Sequence, residues 1–217
     1  MFKKTLFLAA VLAAVSSTFA QNLGVRAGLN LANQKLDIDG ADLPDPDNHI
    51  GFHVGVVADI GITDMFYIQP GLLFSLKGTE YNMDFMGFAK VEAKMSLYYI
   101  EVPVLASAKI PINESLALRI NAGPYVGFGI GGTGEVKQTV MGQSQTISGD
   151  AFGDDGTYNR LDFGVAFGGG IEFQKFYVGV NYGLGLANIA KADADEEEDT
   201  NAKAYNRCLG ITLGYNF

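Results

Sequence analysis

The chain contains one set of residue types that hydrolytic enzymes use, formed by His53, Ser75 and Asp59. A serine activated by a histidine base, which a carboxylate in turn orients, is the machinery of acyl transfer. Alternation places all three side chains on the same side of their strands. Asp59, however, lies about 20 Å along the strand from His53, too far to orient the imidazole. The pattern favours a hydrogen-bonded interior histidine, with an outer-leaflet lipid enzyme as the weaker alternative.

Two acidic segments are a second candidate site, in this case for binding cations, because hard cations such as Ca²⁺ prefer oxygen ligands. One acidic run covers residues 193–199, and another surrounds residues 42–47. Neither has the ligand order with a turn-forming glycine that defines a calcium loop. The single cysteine, Cys208, excludes an internal disulfide and a cysteine-based zinc site. We predict no cofactor and no defined metal site, and weak cation binding by residues 193–199 stays open.

The third candidate is a set of charged residues that recur within otherwise apolar segments. They share alternate positions with Asn, Gln, Ser and Tyr residues, whereas the intervening positions are almost purely apolar. The set consists of Arg26, Asp59, Lys77, Glu101, Lys109, Arg119, Arg160, Asp162 and Glu172. Its positive and negative members nearly balance, so they can pair inside an enclosed space, as buried ions must. We expect Glu101 to anchor this network with Arg119 or Arg160; a proton or ion relay is the alternative role.

Strands must position these side chains, and the sequence contains eight two-faced segments. They cover residues 23–32, 50–62, 65–77, 96–110, 116–130, 159–173, 176–188 and 205–217. Each is long enough for a tilted strand to cross a bilayer, which takes about 9–11 residues. Short turns at residues 63–64, 111–115 and 174–175 alternate with long polar connections at residues 33–49, 78–95, 131–158 and 189–204. This alternation is typical of an up-and-down barrel with short periplasmic turns and long extracellular loops.

Alternation alone fits both a soluble barrel, with hydrocarbon inside, and a membrane barrel, with hydrocarbon outside. The polar face has fewer charges than a soluble surface usually carries, and its charges balance in sign. The chain ends in strand residues that place Tyr215 and Phe217 on the apolar face. Together with Phe66, Phe173 and Phe176 beside the short turns, they form an aromatic girdle. The predicted fold is therefore all-β: an eight-stranded antiparallel up-and-down transmembrane barrel.

The start of the chain predicts export. Lys3 and Lys4 precede a short apolar run at residues 6–15, as in a secretory signal peptide. Residues 1–20 are therefore assigned to the signal peptide and residues 21–217 to a single barrel domain. The formal charge of −9 becomes −11 when the two lysines are removed. An acidic exported chain lacks the basic face that nucleic-acid binding needs.

Four short motifs resemble those of a known family. They are YIEVP at residues 99–103, GPYVG at 123–127, GVRAGLN at 24–30 and YGLGLANI at 182–189. Through them the chain resembles the small PorT-like outer-membrane β-barrel proteins of Gram-negative bacteria, over all of residues 21–217. The chain departs from the family at Asn181, where relatives often carry arginine, which puts one interior ion pair in doubt.

The resemblance implies an integral barrel in the cell outer membrane, surrounded by outer-membrane lipids. Tyr215 and Phe217 resemble the C-terminal signal that the outer-membrane assembly machinery recognises. Most members of the family have no assigned activity. The founding name implies a part in protein secretion, to which nothing in this sequence ties the chain.

The functional prediction is a non-enzymatic barrel whose extracellular loops carry a structural or surface-interaction role, with an unidentified surface or envelope protein as partner. A narrow transport or secretion-accessory barrel is the alternative. The interior of an eight-stranded barrel is about wide enough for side chains, which argues against a wide pore. We expect Arg160, Tyr125 and Tyr177 to occupy the space that inward glycines leave.

Overall fold

The computed structural model describes residues 23–37, 46–85, 89–153, 156–191 and 202–217, and the regular elements in them are β-strands. The strands are β1 (Leu23–Asp37), β2 (His49–Ala58), β3 (Ile60–Gly61), β4 (Phe66–Phe85), β5 (Ala89–Pro111), β6 (Leu116–Val140), β7 (Gln143–Asp150), β8 (Leu161–Phe173), β9 (Phe176–Gly185) and β10 (Lys203–Asn216). In these residues no helix has the length and apolar character needed to cross a membrane. The predicted signal peptide and the acidic residues 42–45 and 193–199 lie outside the described residues.

Antiparallel pairing closes the sheet into a ring. Its order is β1, β2, β4, β5, β6, β8, β9 and β10, and β10 pairs back onto β1 from Gly24↔Asn216 to Asp37↔Lys203. The short strand β3 continues β2 beyond Asp59, and β7 extends the sheet from β6 outside the ring. The prediction of an eight-stranded up-and-down barrel is confirmed.

The barrel wall carries hydrocarbon outside and polar groups inside. Val54 and Val180 point outward and each is 49% exposed, although both lie in the middle of their strands. Arg119 and Asp162 point inward and are 2% and 0% exposed. A wall of this kind is stable only against an apolar surrounding, since water would leave the outer valines unburied.

Aromatic side chains surround the rim where the short turns lie. Phe66, Phe173 and Phe176 are exposed on the outer surface beside these turns. The ring of Tyr215 packs edge-on against Phe176 and Phe217, with centroids 5.3 Å and 5.4 Å away. Such a belt is typical of barrels at the membrane–water interface.

The opposite rim differs from the prediction, because two of the four expected loops are largely strand. Residues 78–95 are not a long loop, since β4 continues to Phe85 and β5 begins at Ala89. Likewise β6 runs on to Val140 and returns as β7. We call residues 80–85, 89–96, 131–140 and 143–150 the outer sheet. Its strands escaped prediction because the apolar alternation that marked the barrel segments fades where both faces meet water.

Two strands are shorter than predicted at the same rim. β8 begins at Leu161 rather than at residue 159, and β9 ends at Gly185 rather than at residue 188. The residues released from these strands fold over the mouth of the barrel, where Ile189 accepts a backbone hydrogen bond from Asn159 at 2.8 Å.

The orientation of the wall can be tested by placing a charge on its outer face. We expect Val180→Arg to lower the free energy of unfolding by about 2–4 kcal/mol, because the guanidinium would enter the hydrocarbon of the bilayer. The control Ile147→Arg, on exposed β7, should change it by less than about 0.5 kcal/mol. Urea unfolding in lipid vesicles measures both. Equal stability of Val180→Arg and the parent would contradict the orientation.

Candidate functional site: a sealed interior beneath an outer sheet

A charged cluster near the short-turn rim is centred on Arg119. Its guanidinium donates to both oxygens of Asp59, at 2.9 Å and 2.7 Å. The Nη2 atom also lies 3.1 Å from Oε2 of Glu172, and Lys109 pairs with the same carboxylate. Each buried charge in this cluster therefore has an opposite charge beside it, which offsets the cost of its desolvation.

Arg26 lies in the same part of the interior without a carboxylate partner in its described contacts. Its guanidinium stacks 4.8 Å from the centre of the Tyr177 ring and donates to Oδ1 of Asn216 at 2.8 Å. Gly214 makes room for it, because a Cβ there would lie 2.6 Å from Nη1 of Arg26. The cation is thus held by an aromatic face, an amide oxygen and the carbonyl oxygen of Val25 at 2.9 Å.

A second charged cluster lies closer to the outer mouth and is centred on Lys77. The ammonium pairs with Glu101, and its Nζ lies 3.4 Å from Oδ2 of Asp162. Asp162 also accepts hydrogen bonds from Tyr125 at 3.3 Å and from Asn206 at 3.0 Å. The Tyr125 ring lies under the ammonium, with 4.6 Å between Nζ and the ring centre.

The expected pairing of Glu101 with Arg119 or Arg160 is wrong, because its partner is Lys77. Glu101 is level with Gly127 of β6, and Arg119 lies eight residues further along that strand, roughly 26 Å away. Neighbouring β4 instead brings Lys77 within reach.

Arg160 does not join the interior network that the sequence predicted for it. It is exposed, donates to the carbonyl oxygen of Gly129 at 2.9 Å and lies 5.5 Å from the centre of the Phe152 ring. The reason is that β8 begins at Leu161, the residue after Arg160, so strand alternation does not set the direction of the Arg160 side chain. The other members of the predicted set are buried or half-buried inside the barrel: Arg26, Asp59, Lys77, Glu101, Lys109, Arg119, Asp162 and Glu172.

His53 lies in the middle of the interior, where its ring nitrogens form hydrogen bonds with uncharged side chains. Its Nδ1 lies 2.7 Å from Oδ1 of Asn30, and its Nε2 lies 3.0 Å from the hydroxyl of Thr212. Asn30 in turn donates to Ser75 at 3.1 Å. Asp59 bonds to Arg119 instead. His53, Ser75 and Asp59 therefore do not form a serine–histidine–carboxylate triad.

A cavity of about 130 Å³ separates the two charged clusters. Polar side chains such as Asn30 and Thr212 line it together with apolar ones such as Leu73 and Leu105. A space of this size accommodates several water molecules. A second cavity of about 200 Å³ opens near the short-turn rim, and Arg119 lines both. The ion pairs of Arg119 therefore lie between the two spaces.

An apolar plug closes the outer mouth, above the Lys77 cluster. Leu97, Tyr99 and Ile189 are fully buried in it, and the Phe152 ring packs edge-on against Tyr99 at 5.7 Å. The hydroxyl of Tyr158 donates to Gln34 at 2.8 Å, which ties the connection before β8 to the opposite wall. Sequence reasoning missed this plug. The aromatic residues at positions 152 and 158, isolated in a polar connection, were its one available signal.

The outer sheet joins the barrel at a small polar junction that was also missed. The His49 ring donates to Oε1 of Glu80 at 3.0 Å, and Lys94 lies 3.3 Å from the same oxygen. The hydrogen bond from His49, together with Lys94, holds the pKa of Glu80 below its ordinary value. Further out, Glu92 lies between Lys90 at 2.7 Å and Lys137 at 3.3 Å, so paired charges cover one face of the sheet.

No group of His, Cys, Asp and Glu side chains in the described ranges is arranged to hold a metal ion. Cys208 is buried and free. The predicted C-terminal signal lies on the outer surface of β10, where Phe217 is exposed and Tyr215 is half-buried between its aromatic neighbours.

Comparison with known proteins gives one family match. A family model described as an outer membrane protein beta-barrel domain matches residues 19–191. No curated protein matches the chain.

Solved structures of small outer-membrane proteins resemble the chain at low identity. Ail, the attachment invasion locus protein of Yersinia pestis, is 16% identical, with 90% of this chain and 99% of that chain covered and a TM-score of 0.35. Neisserial surface protein A is 12% identical, with 90% of this chain and 97% of that chain covered and a TM-score of 0.43. OprG from Pseudomonas aeruginosa is 10% identical, with 91% of this chain and 96% of that chain covered and a TM-score of 0.36. Likeness at this level carries no argument about activity.

From the burial of the Lys77 cluster we expect its ion pairs to contribute much more to the free energy of unfolding than the exposed ion pairs of the outer sheet do. Lys77→Met leaves Glu101 and Asp162 as uncompensated buried carboxylates and should cost about 3–5 kcal/mol of unfolding free energy. Lys94→Met removes a half-exposed partner of Glu80 and should cost about 0–1 kcal/mol. Urea unfolding in vesicles measures both variants.

A further variant separates charge from packing at this site. Adding Glu101→Gln and Asp162→Asn to Lys77→Met should restore much of the lost stability, because no unpaired charge then remains in the cluster. If the triple variant is no more stable than Lys77→Met, the loss comes from packing against Tyr125 and the electrostatic explanation is wrong.

Proposed function

The chain belongs to the outer membrane protein beta-barrel domain family, and from that premise we propose that it is a non-enzymatic barrel that binds another protein at the cell surface through its outer sheet. The observation that carries the proposal is a contrast within one molecule. The interior is closed by the apolar plug and by ion pairs, whereas β4–β7 continue past the plugged rim as exposed strands.

The proposed orientation follows from the unequal rims. Outer-membrane barrels have short turns on the periplasmic side and longer connections outside. The outer sheet then projects from the cell, and the outward valines and aromatic girdle meet outer-membrane lipids. Tyr215 and Phe217 at the periplasmic end of β10 are the proposed contact for the assembly machinery.

A non-enzymatic role is supported by the interior chemistry. A lipid enzyme needs a nucleophile and a base that a substrate can reach. His53 and Ser75 are instead buried and bonded to Asn30, on the far side of the wall from lipid. Mutating both to alanine is expected to leave the outer-leaflet lipids unchanged.

Transport through the lumen is the alternative role. Two layers of side chains would block such a path. The apolar plug closes the outer mouth, and the pairs between Arg119, Asp59 and Glu172 lie between the two cavities. The finer resemblance to PorT-like proteins, with its implied link to secretion, stays a prediction.

Current measurements in planar bilayers test the transport alternative. We expect the purified barrel to give no steady conductance, because the apolar plug and the charged layer occupy the lumen. A 16-stranded porin, whose lumen is an aqueous channel, serves as the positive control. A steady current proportional to voltage would contradict a sealed interior and favour transport.

Site-specific photo-crosslinking on intact cells tests the surface-interaction role. A photoreactive residue at Ile147, on exposed β7, should form a discrete protein adduct. The same residue at Val180, on the lipid face of β9, should form none. If no position in the outer sheet captures a protein, the proposed function is wrong.

A further inference from the structure

The strand β7 presents an unpaired edge at one side of the outer sheet. β6 pairs with β5 on one side and with β7 on the other, and no other described strand pairs with β7. Every residue of β7 is exposed. A strand in this position offers a row of backbone N–H and C=O groups that water or another strand must satisfy.

The turn before β7 determines which backbone groups are free. Met141 and Gly142 have φ angles of 50° and 80°, as a two-residue type I′ hairpin turn requires. Val140 and Gln143, which flank the turn and pair across it, therefore form the first doubly hydrogen-bonded pair.

Alternation along β7 then assigns the remaining groups. Gln145 and Ile147 direct their backbone groups toward β6, where they pair with Gln138 and Val136. Ser144, Thr146 and Ser148 direct theirs away from β6, toward the open side. The free edge consequently carries backbone donors and acceptors at every second residue, the spacing that an added strand needs.

The other edge of the outer sheet is protected, and β7 is not. On β4, Asp84 carries a charge and Asn82 donates to Asp47 at 2.8 Å. Asp47 also pairs through its backbone with Glu80, so this edge is partly covered. Residues 143–149 contain no proline and no charged residue, and their pairing with β6 is regular. Charge, proline and bulges are the usual means of blocking an edge.

The side chains beside the free edge indicate what a partner strand would carry. Ile147 is 62% exposed and lies directly across from Val136, on the face that also carries Val140. A β-branched or apolar residue next to Ile147 would bury part of this surface. Because the edge itself is uncharged, recognition would depend on backbone pairing and this one apolar contact.

We propose that β7 binds an extended, uncharged segment of another protein by strand addition, so that the segment becomes the next strand of the outer sheet. This inference rests on the proposed surface-interaction function and names its partner class. A second copy in the same membrane is the poorer occupant for antiparallel pairing. Copies inserted with one orientation hold their β7 strands in the same direction, whereas antiparallel pairing needs opposite directions.

The free backbone donor of Thr146 gives a sharp test, because no bond to β6 uses it. Thr146→Pro removes this N–H and is tolerated on the open side of an edge strand. Thr146→Ala removes the same side chain and keeps the donor, so it is the matched control. Both variants are made in the full chain and carry the crosslinker at exposed Gln145, so that the side chain of Ile147 is kept.

Two readouts measure the effect. In cells, Thr146→Pro should lower the yield of the Gln145 protein adduct, whereas Thr146→Ala should not. In nanodiscs, the probe is a peptide of alternating threonine and valine with capped ends and no charged residue. It should slow amide exchange of Ser144 and Ser148 by roughly tenfold, and Thr146→Pro should weaken its binding by roughly tenfold. A fully N-methylated peptide of the same sequence should not bind.

The outcomes separate strand addition from the broader function. If Thr146→Pro keeps both the adduct and the peptide affinity of the parent, or if the peptide protects no β7 amide, strand addition is overturned while a protein adduct still supports the surface role. If the amides of β7 become protected with rising protein concentration and no peptide, the occupant is a second copy and the proposal is wrong. Absence of any adduct in the outer sheet overturns the surface role itself.

Discussion

The backbone of this chain must satisfy its own hydrogen bonds, because hydrocarbon offers no partners for N–H and C=O groups. Closure of β10 onto β1 meets that constraint, and it joins strands at opposite ends of the sequence. The arrangement of side chains follows from it. Once the sheet is a cylinder, alternate residues are committed to lipid or to a narrow interior, and each inward ion must find its partner there.

The interior shows how much polarity such a narrow space can hold. Charges are grouped in two layers, around Arg119 and Lys77, and neutral amides and hydroxyls occupy the level between them. Grouping lets one cation serve two carboxylates, as Lys77 does for Glu101 and Asp162. The apolar plug then removes the outer layer from bulk water, which strengthens the attraction between its charges.

Sequence alone predicted the elements whose two faces meet different surroundings. The barrel strands, their short turns and the aromatic girdle were recognised because lipid on one side and polar groups on the other impose a period of two. Strand number and topology followed from these signals.

The remaining features depend on contacts that no local pattern encodes. The outer sheet has water on both sides, so its strands lacked the apolar alternation that marked the others. The partner of Glu101 depends on the stagger between strands, which periodicity does not give. Phe152 and Tyr158 enter the plug because a connection folds back over the mouth, and Arg160 is drawn out of the interior by the same fold.

The strands of the outer sheet are continuous with the wall, and this has a mechanical consequence. β5 and β6 extend from the short turn at residues 112–115 to the far end of the sheet, over 23 and 25 residues, with a register shift in their ladder at Tyr98 and Tyr99. A pull on that end acts along the strands and loads many ladder bonds in shear at once, rather than opening them one after another. A tether attached there would transmit force directly into the membrane-embedded cylinder, with no flexible linker to give way first.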